Sequence, residues 1–423
     1  METTKSKKGK FAVTTVFFVL AVCFILAESG IRIYHLTCDR ERFVWLPDQF
    51  LAYVHSGNNT FKHHYTEKER ITVEHKTNSF GFLSDEITVE KDKDTFRVLV
   101  MGDSFTEAFQ VPGSKNFCGR LQDLLNNYPE KKYKKVEVLN TGVSGYSPLN
   151  YYLYFKRELA RFEPDLVLVQ LFANDVFEDN TAKAKSLLDE NGLALKTNRY
   201  FSQEYFNHPA VKTEDFNGNP FGYRLKRFLI EKSRAFEYFY VKFYNTRKAS
   251  DFNQKMIRVD QYGTGYQFFM LDPGHVLSKD EAFREKAWGY TQKNLLALKK
   301  EVEGQKAELR MFYIPMEVQL KLDRYGEHVS LYVQKHMGTY FNDLLDDFSR
   351  KNNIRFLDLL ENFENNKAKG LYLSRDGHLT ETGHEIAAET LFNDIINDDL
   401  LSEFLPFGDK NMATSQSSEK GGN

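Results

Sequence analysis

The chain has 423 residues, and its 57 lysines and arginines against 59 aspartates and glutamates give a formal net charge of −2. This length allows two or three domains, or one large domain with insertions. Basic residues are dense only within the first ten positions, which argues against a nucleic-acid partner, and three isolated cysteines argue against a disulfide scaffold or a zinc site.

The amino terminus predicts a membrane anchor. Four lysines within residues 1–10 precede 17 largely apolar residues, Phe11 to Ala27, close to the shortest helix that crosses a hydrocarbon core of roughly 30 Å. We expect a transmembrane signal anchor at 11–33, with the basic tip in the cytoplasm and the rest of the chain outside it, on the periplasmic side in a bacterium. A cleaved signal peptide is the alternative, but the sequence LAES is a poor small-residue cleavage site.

The centre of the chain has the pattern of a parallel α/β sheet. After an approach segment at 34–95 without clear periodicity, short β-branched runs that are apolar on both faces alternate with helical segments. Such runs suit strands covered on both sides, so the alternation predicts a three-layer α/β/α architecture with a parallel sheet. The five predicted strands are 96–102, 136–142, 165–172, 309–315 and 354–360.

A large insertion is expected at about 180–285, because far more residues separate the third and fourth strands than one crossover needs. It lies within a predicted domain spanning 96–407, and the polar, Ser- and Gly-rich end at 408–423 predicts a disordered tail. Four aromatic residues of the insertion recur at helical spacing, which predicts buried core, with a sugar-stacking wall as the alternative. They are Phe236, Tyr240, Phe243 and Tyr244.

Small polar residues follow three of the predicted strands. Ligands of open α/β sheets bind outside the carboxyl ends of the strands, so these residues are expected to line one edge. The residues are Gly102, Asp103 and Ser104 after the first strand, Gly142 and Gly145 after the second, and Asn174 and Asp175 after the third.

A fourth loop of this edge is predicted near the carboxyl end. Asp376 and His378 stand immediately before an amphipathic helix that we expect to begin between Thr380 and Thr382. Residues two apart can point to one side, so the Asp376 carboxylate could orient His378 while the other ring nitrogen faces a serine. His384 lies inside the expected helix, where a histidine more often packs or caps.

Four sequence blocks together resemble the SGNH/GDSL hydrolases. They are GDSFTE, GVSGYS, FAND and DGH, and the resemblance covers roughly residues 96–180 and 355–395. It implies the flavodoxin-like fold of that family. The sequence departs from the family pattern in two places, since the last block is usually spelled DxxH and a glycine usually stands where this chain has Ala173. The stretch TNSFGFLSDE, at 77–86, resembles the membrane-anchored bacterial branch, which is associated with envelope or secreted polysaccharide.

The resemblance implies a role for each matched residue. Ser104 would be the nucleophile, His378 the general base and Asp376 the carboxylate that orients it. Gly145 and Asn174 would join the Ser104 amide in an oxyanion hole. No metal and no cofactor are implied. These roles suit the chemistry, because a serine hydroxyl needs a base and the attacked carbonyl develops a negative charge.

Each of these residue types also has a purely structural interpretation. Ser104 could cap a helix in a capping box with Glu107, Gly142 could be a turn glycine, and Asn174 an ordinary loop residue. We expect Asp175 to be structural. The pair His63-His64 lies near Glu67 and Glu69 without the spacing of a metalloprotease motif, and we interpret it as a chance occurrence on the surface.

The sequence supports one main functional hypothesis and two alternatives. The main one is an extracytoplasmic, membrane-anchored serine esterase that removes acyl groups, acetyl above all, from a carbohydrate or lipid through an acyl-enzyme. A polysaccharide O-acetyltransferase would use the same triad with a sugar hydroxyl as acceptor. A catalytically decayed glycan-binding or scaffold protein is the third, suggested by the altered spacing of the last block and the aromatic insertion.

Overall fold

The structure is a computed structural model. The structure describes residues 2–37, 44–67, 69–197, 281–320, 339–374, 376–398 and 401, and a few positions between 225 and 239. The strands are β1 Trp45–Asp48, β2 Ala52–His55, β3 Thr60–Thr66, β4 Arg70–Lys76, β5 Thr95–Met101, β6 Lys135–Asn140, β7 Leu166–Leu171, β8 Ser186–Leu188, β9 Ala194–Thr197, β10 Glu308–Tyr313 and β11 Arg355–Asp358. The helices are α1 Glu2–Thr37, α2 Ser104–Glu107, α3 Phe117–Asn127, α4 Pro148–Tyr154, α5 Asp175–Lys183, α6 Glu281–Gly304, α7 Glu317–Leu320, α8 Tyr340–Lys351, α9 Leu360–Asn366 and α10 Glu381–Ile396.

Five parallel strands form the central sheet in the order β11-β10-β7-β5-β6. They are the five strands predicted from sequence, with ends displaced by one or more residues. Every residue of β5 and of β7 is buried, as expected for strands covered on both faces, whereas β11 lies at the edge and is only half-buried. The predicted parallel α/β architecture is therefore confirmed.

Alternate residues of the strands pack against different helices. Leu99 and Met101 of β5 belong to one apolar core, which α4, α6 and α8 complete. Val98 and Val100 point to the other face, where α3, α9 and α10 cover them. Burying one such side chain contributes about 1.5–3 kcal/mol, so the two cores hold the sheet and fix where its carboxyl edge lies.

Residues 44–76 form two antiparallel pairs of strands that the sequence pattern did not reveal. β1 pairs with β2, and β3 pairs with β4 in a seven-residue register from Thr60 opposite Lys76 to Thr66 opposite Arg70. The pattern is weak because β3 is rich in histidine, lysine and threonine and because only one of its faces packs on the domain. Both pairs contact the region that follows β5.

Helix α1 contains a 20-residue segment, Thr14–Ile33, that is long and apolar enough to cross a membrane, and none of it is buried. A signal sequence would meet the same criterion. Near the end of this segment, the Glu28 carboxylate accepts hydrogen bonds from the backbone amides of Arg234 and Ala235, both at 2.9 Å, and from the Ser233 hydroxyl at 2.8 Å. The inserted region is thereby attached to α1.

Much of the predicted insertion falls outside the described residues. Of the aromatic stripe, Phe236 is described and is half-buried, while Tyr240, Phe243 and Tyr244 are not among the described positions. The predicted tail at 408–423 also lies outside them.

Candidate active site

Strand β5 is followed by the short helix α2, whose N-cap residue is Asp103. The Asp103 carboxylate accepts a hydrogen bond from the amide of Phe105 at 2.9 Å, and Ser104 is the first residue of α2. The interpretation of Ser104 as the helix cap is therefore wrong, because Asp103 is the N-cap residue. The Ser104 hydroxyl is left available for another partner.

Glycine at position 102 is required by the packing around this turn. A Cβ atom there would collide with the side chains of Thr106 and Gln170. Glu107 does not close a capping box either. Its carboxyl group points away from the helix start and binds His55, Trp45 and Ser144.

Ser104, His378 and Asp376 form one hydrogen-bonded relay. His378 Nε2 lies 2.7 Å from Ser104 Oγ, and His378 Nδ1 lies 2.5 Å from Asp376 Oδ1. In this geometry the serine hydroxyl donates to Nε2 and the ring donates its Nδ1 proton to the carboxylate. The Phe105 ring packs against the imidazole with ring centroids 4.9 Å apart, so the helix that carries the serine also holds the histidine.

The loop that carries Asp376 and His378 turns at Gly377. Its φ of +79° is left-handed, a conformation that glycine adopts without steric cost. The Gly377 amide donates to Leu373 O at 3.0 Å, and the Leu373 amide donates to His378 O at 2.8 Å. This tight turn places both side chains on one side, so the DGH spacing still delivers a carboxylate to the histidine. Helix α10 then begins at Glu381 with Thr380 as its cap, as predicted.

The Asp376 carboxyl is kept ionised by its partners. Burial alone raises its pKa, but hydrogen bonds from His378 and Gln110 together with the nearby imidazole outweigh burial, and the pKa lies below its ordinary value of 3.8. Gln110 was not predicted. Its Nε2 lies 3.2 Å from His378 Nδ1, and its only sequence signal is a polar residue between two apolar ones in the stretch after α2.

The loop is also held by the β3–β4 hairpin. Glu67, just past β3, accepts hydrogen bonds from the Ser374 amide at 3.1 Å and from the Ser374 hydroxyl at 2.5 Å. Ser374 stands two residues before Asp376, so a segment far upstream of the sequence motifs fixes the position of the last one.

Gly145 and Asn174 stand in the segments that follow the two strands on either side of β5. β5 is flanked by β6 and β7 in the sheet, so the loop after β6 and the start of α5 adjoin the serine on its two sides. Gly145 has a left-handed φ of +74°, and Asn174 is half-buried with its Oδ1 free of hydrogen bonds in the described part of the chain. The oxyanion-hole role of both residues stays a prediction.

Gly142 and Asp175, beside the motif, have structural roles, as expected for Asp175. A Cβ at Gly142 would collide with Thr106 and with the Glu107 amide, so no other residue fits. The buried Asp175 accepts a hydrogen bond from the Phe172 amide at 2.7 Å and closes the turn after β7.

The expectation of a chance surface pair was wrong for His63. The alternation of β3 turns Phe61 and His63 toward the domain, and the His63 ring lies 5.6 Å from that of Phe109. Burial lowers the pKa of His63, with the Asp376 charge acting in the opposite direction. His64 points outward and is exposed.

His384 packs and does not join the relay. Its ring stacks 5.7 Å from that of Phe117, and its Nδ1 accepts a hydrogen bond from the Phe117 amide at 3.3 Å. Burial lowers its pKa from 6.5 to about 3, because the charged ring would lose its water.

This burial predicts an acid-sensitive contribution to stability. Between about pH 6.5 and pH 3 the unfolded chain binds a proton at His384 and the folded chain does not, so the free energy of unfolding falls as the pH falls, by up to about 1.4 kcal/mol per pH unit. Urea unfolding of wild type and His384→Gln at about pH 7 and about pH 5 checks this. We expect a smaller pH slope in the variant, and equal slopes would contradict the assignment.

Comparisons with known proteins identify a family model that matches part of the chain. A family model described as GDSL-like Lipase/Acylhydrolase matches residues 98–199. An arylesterase of Vibrio mimicus is 32% identical over 104 residues, which are 23% of this chain and 50% of the relative. The chain thus spans about half the length of that curated relative.

Solved structures of similar proteins include a catalytic mutant of an acetylxylan esterase from Geobacillus stearothermophilus. It has a TM-score of 0.35 and 14% identity, over 71% of this chain and 94% of the other. A hydrolase from the metagenome of Lake Arreo has a TM-score of 0.38 and 11% identity, over 73% and 97% of the two chains.

The serine turn after β5 and the block containing Asn174 both fall inside the segment that the family model matches. The parallel sheet supports both of them at its carboxyl edge. Through residues 98–199, the chain is similar to the GDSL-like lipases and acylhydrolases.

Proposed function

We propose that the protein is a serine esterase that works through an acyl-enzyme on Ser104. The observation that carries this proposal is the continuous relay from the Ser104 hydroxyl through His378 to Asp376. A serine hydroxyl becomes a competent nucleophile when a neighbouring base accepts its proton.

The reaction would proceed in two halves. His378 Nε2 takes the Ser104 proton as Oγ attacks the ester carbonyl, and the tetrahedral intermediate collapses when the imidazolium returns that proton to the leaving alcohol. A water molecule then attacks the acyl-enzyme with His378 again as base, which releases the acid and restores the serine. Asp376 keeps the Nδ1 proton in place and stabilises the imidazolium between these steps.

Three donors would stabilise the oxyanion in both halves. They are the amide of Ser104 at the start of α2, the amide of Gly145 and the side-chain amide of Asn174. The first amides of a helix have no partner within the helix, which suits the Ser104 amide to this role. Donors fixed before the reaction contribute most where charge develops.

Removal of one donor gives a measurable prediction. We expect Asn174→Ala to lower kcat for a short-chain aryl ester by about 10² to 10³, with a smaller change in KM, because the lost hydrogen bond strengthens in the transition state. Asn180→Ala is the matched control, since Asn180 lies on the same helix and bonds Val176 O and Ala287 O. An unchanged kcat in Asn174→Ala would remove Asn174 from the oxyanion hole.

We further propose that α1 anchors the enzyme in a membrane and that residues 34–407 lie outside the cytoplasm, with 1–10 inside it. The length and composition of Thr14–Ile33 and the lysines before it support this topology. An acylated glycan or lipid would then be the substrate. Protease added to spheroplasts should cut the domain and leave the amino-terminal tip protected, and the reverse pattern would contradict the topology.

The acyl acceptor separates esterase from O-acetyltransferase. Water and a sugar hydroxyl can attack the same acyl-enzyme, so incubation with an acetyl donor and an envelope glycan should be assayed for free acetate and for acetylated glycan. Acetate as the product supports the esterase. Acetylated glycan as the main product would establish the transferase.

A fluorophosphonate probe tests the proposal against a decayed site. The probe reacts with a serine that a base activates, so we expect mass spectrometry to find one adduct on Ser104 in the wild type and none there in Ser104→Ala. A folded wild-type protein that resists the probe would favour a glycan-binding or scaffold role.

A further inference from the structure

The carboxyl group of Glu107 is buried behind the relay and has no part in the mechanism above. Its side chain is 1% exposed, and that of His55 beside it is 3% exposed. Burial of such a group is costly unless donors surround it. Three donors do: His55 Nε2 at 2.6 Å, Trp45 Nε1 at 3.3 Å and the hydroxyl of Ser144.

Glu107 connects two parts of the active site. It is the last residue of α2, the single helical turn that begins with Ser104. Its partner Ser144 directly precedes Gly145, whose amide is one of the proposed oxyanion donors. One side chain therefore joins the nucleophile helix to the oxyanion turn.

The same turn is held from a second side by Tyr53. The Tyr53 hydroxyl donates to Ser144 O at 2.6 Å, and it lies 3.1 Å from the place where a Cβ of Gly145 would stand. With the Ser144 side chain bound by Glu107 and its carbonyl bound by Tyr53, the peptide that leads into Gly145 has little freedom to rotate.

Two partners of Glu107, His55 and Trp45, and the Tyr53 that binds Ser144 come from the strands that precede the central sheet. His55 and Tyr53 belong to β2, and Trp45 belongs to β1. The His55 ring also packs against Phe109, with centroids 5.8 Å apart. The β1–β2 pair thus packs against the turn that contains Ser144 and Gly145.

We propose that Glu107, supported by His55, is a positioning residue that sets the direction of the Gly145 amide through the Ser144 hydroxyl. The inference rests on the proposed esterase function. Oxyanion donors act only within a narrow range of distance, and a displacement of about 1 Å can cost roughly 10² in rate. Glu107 touches neither substrate nor the reacting atoms.

The test compares Ser144→Ala, Ser144→Thr, Glu107→Gln and the double variant Ser144→Ala/Glu107→Gln on a short-chain aryl ester. We expect Ser144→Ala and Glu107→Gln each to lower kcat by about 10- to 100-fold with KM changed by about twofold or less. Ser144→Thr keeps the hydroxyl and should restore most of kcat. The double variant should be no slower than the worse single variant, because both changes break one connection.

Glu137→Gln is the matched control. Glu137 is another buried glutamate, paired with Arg97 at 2.8 Å, and it lies near the amino ends of β5 and β6, away from the site. This variant should lower the thermal midpoint and leave kcat unchanged. If Glu107→Gln does not fold, the difference in kcat between Ser144→Ala and Ser144→Thr decides the question. The same two substitutions are then measured again in a Tyr53→Phe background.

Two results would overturn the inference. One is a wild-type kcat in Ser144→Ala, and the other is a double variant whose loss equals the product of the two single losses. Labelling of the wild type by the fluorophosphonate probe distinguishes failure of the positioning role from failure of the proposed function. A reactive wild type with an unaffected Ser144→Ala refutes the positioning role alone, whereas an unreactive wild type without esterase activity refutes the proposed function and this role with it.

Discussion

Ser104→Ala is expected to abolish ester hydrolysis, with kcat reduced by about 10⁴ to 10⁶. The hydroxyl that His378 Nε2 contacts at 2.7 Å is the only group in the relay that can form the acyl-enzyme. What remains would come from the oxyanion donors and from substrate binding. Steady-state hydrolysis of an aryl acetate by the purified protein measures the effect.

The same variant should leave stability almost unchanged. A serine that caps a helix contributes about 0.5–2 kcal/mol, but here Asp103 accepts the Phe105 amide and Ser104 does not cap. Ser349→Ala is the matched control, because Ser349 is buried and donates to Leu345 O at 2.6 Å. It should lose stability and keep kcat. Full activity of Ser104→Ala would end the esterase proposal.

Asp376→Asn is expected to lower kcat by about 10⁴ while the protein stays folded. The carboxylate accepts a hydrogen bond from the Nδ1–H of His378, which keeps that proton on Nδ1 and leaves Nε2 free to take the serine proton. An asparagine amide can donate to Nδ1 instead, and Gln110 Nε2, at 3.2 Å from that nitrogen, can do the same. Either donor favours the tautomer with the proton on Nε2, which cannot act as the base.

The pH dependence of the rate is a second test of the role of Asp376. Because the pKa of Asp376 lies below 3.8, its carboxylate stays ionised through the neutral range and its protonation should limit the rate only in strong acid. Asp165→Asn is the control, since Asp165 binds the Arg97 amide at 2.7 Å before β7, at the opposite edge of the sheet. A loss below about tenfold in Asp376→Asn would show that another group orients His378.

The sheet and the three residues of the relay can be predicted from the sequence. Strands such as β5 and β7 are apolar on both faces, and that pattern is rare outside covered parallel sheets. Ser104, Asp376 and His378 each follow a strand or precede a helix, so topology brings them to one edge.

The residues that support the relay and the oxyanion turn cannot be predicted from the sequence. Gln110, Glu107 and His55 have no spacing that marks them, because their partners are set by how two upstream strand pairs fold against the domain. The effect of a shortened DxH block also depended on one dihedral angle, the left-handed φ of Gly377. The burial of His63 cannot be predicted from the sequence, because β3 alternates too weakly in polarity to indicate its inner face.

The hydrogen bonds between Glu67 and Ser374 limit how far the chain can be truncated from its amino terminus. An excised fragment that began at β5 would retain Ser104, Asp376 and His378, yet its histidine loop would lose an external support. Such a fragment should be a poorer catalyst than the parent even if it is equally soluble. A fragment made to retain the relay should therefore extend upstream at least to β3, well before the segment that the family model matches.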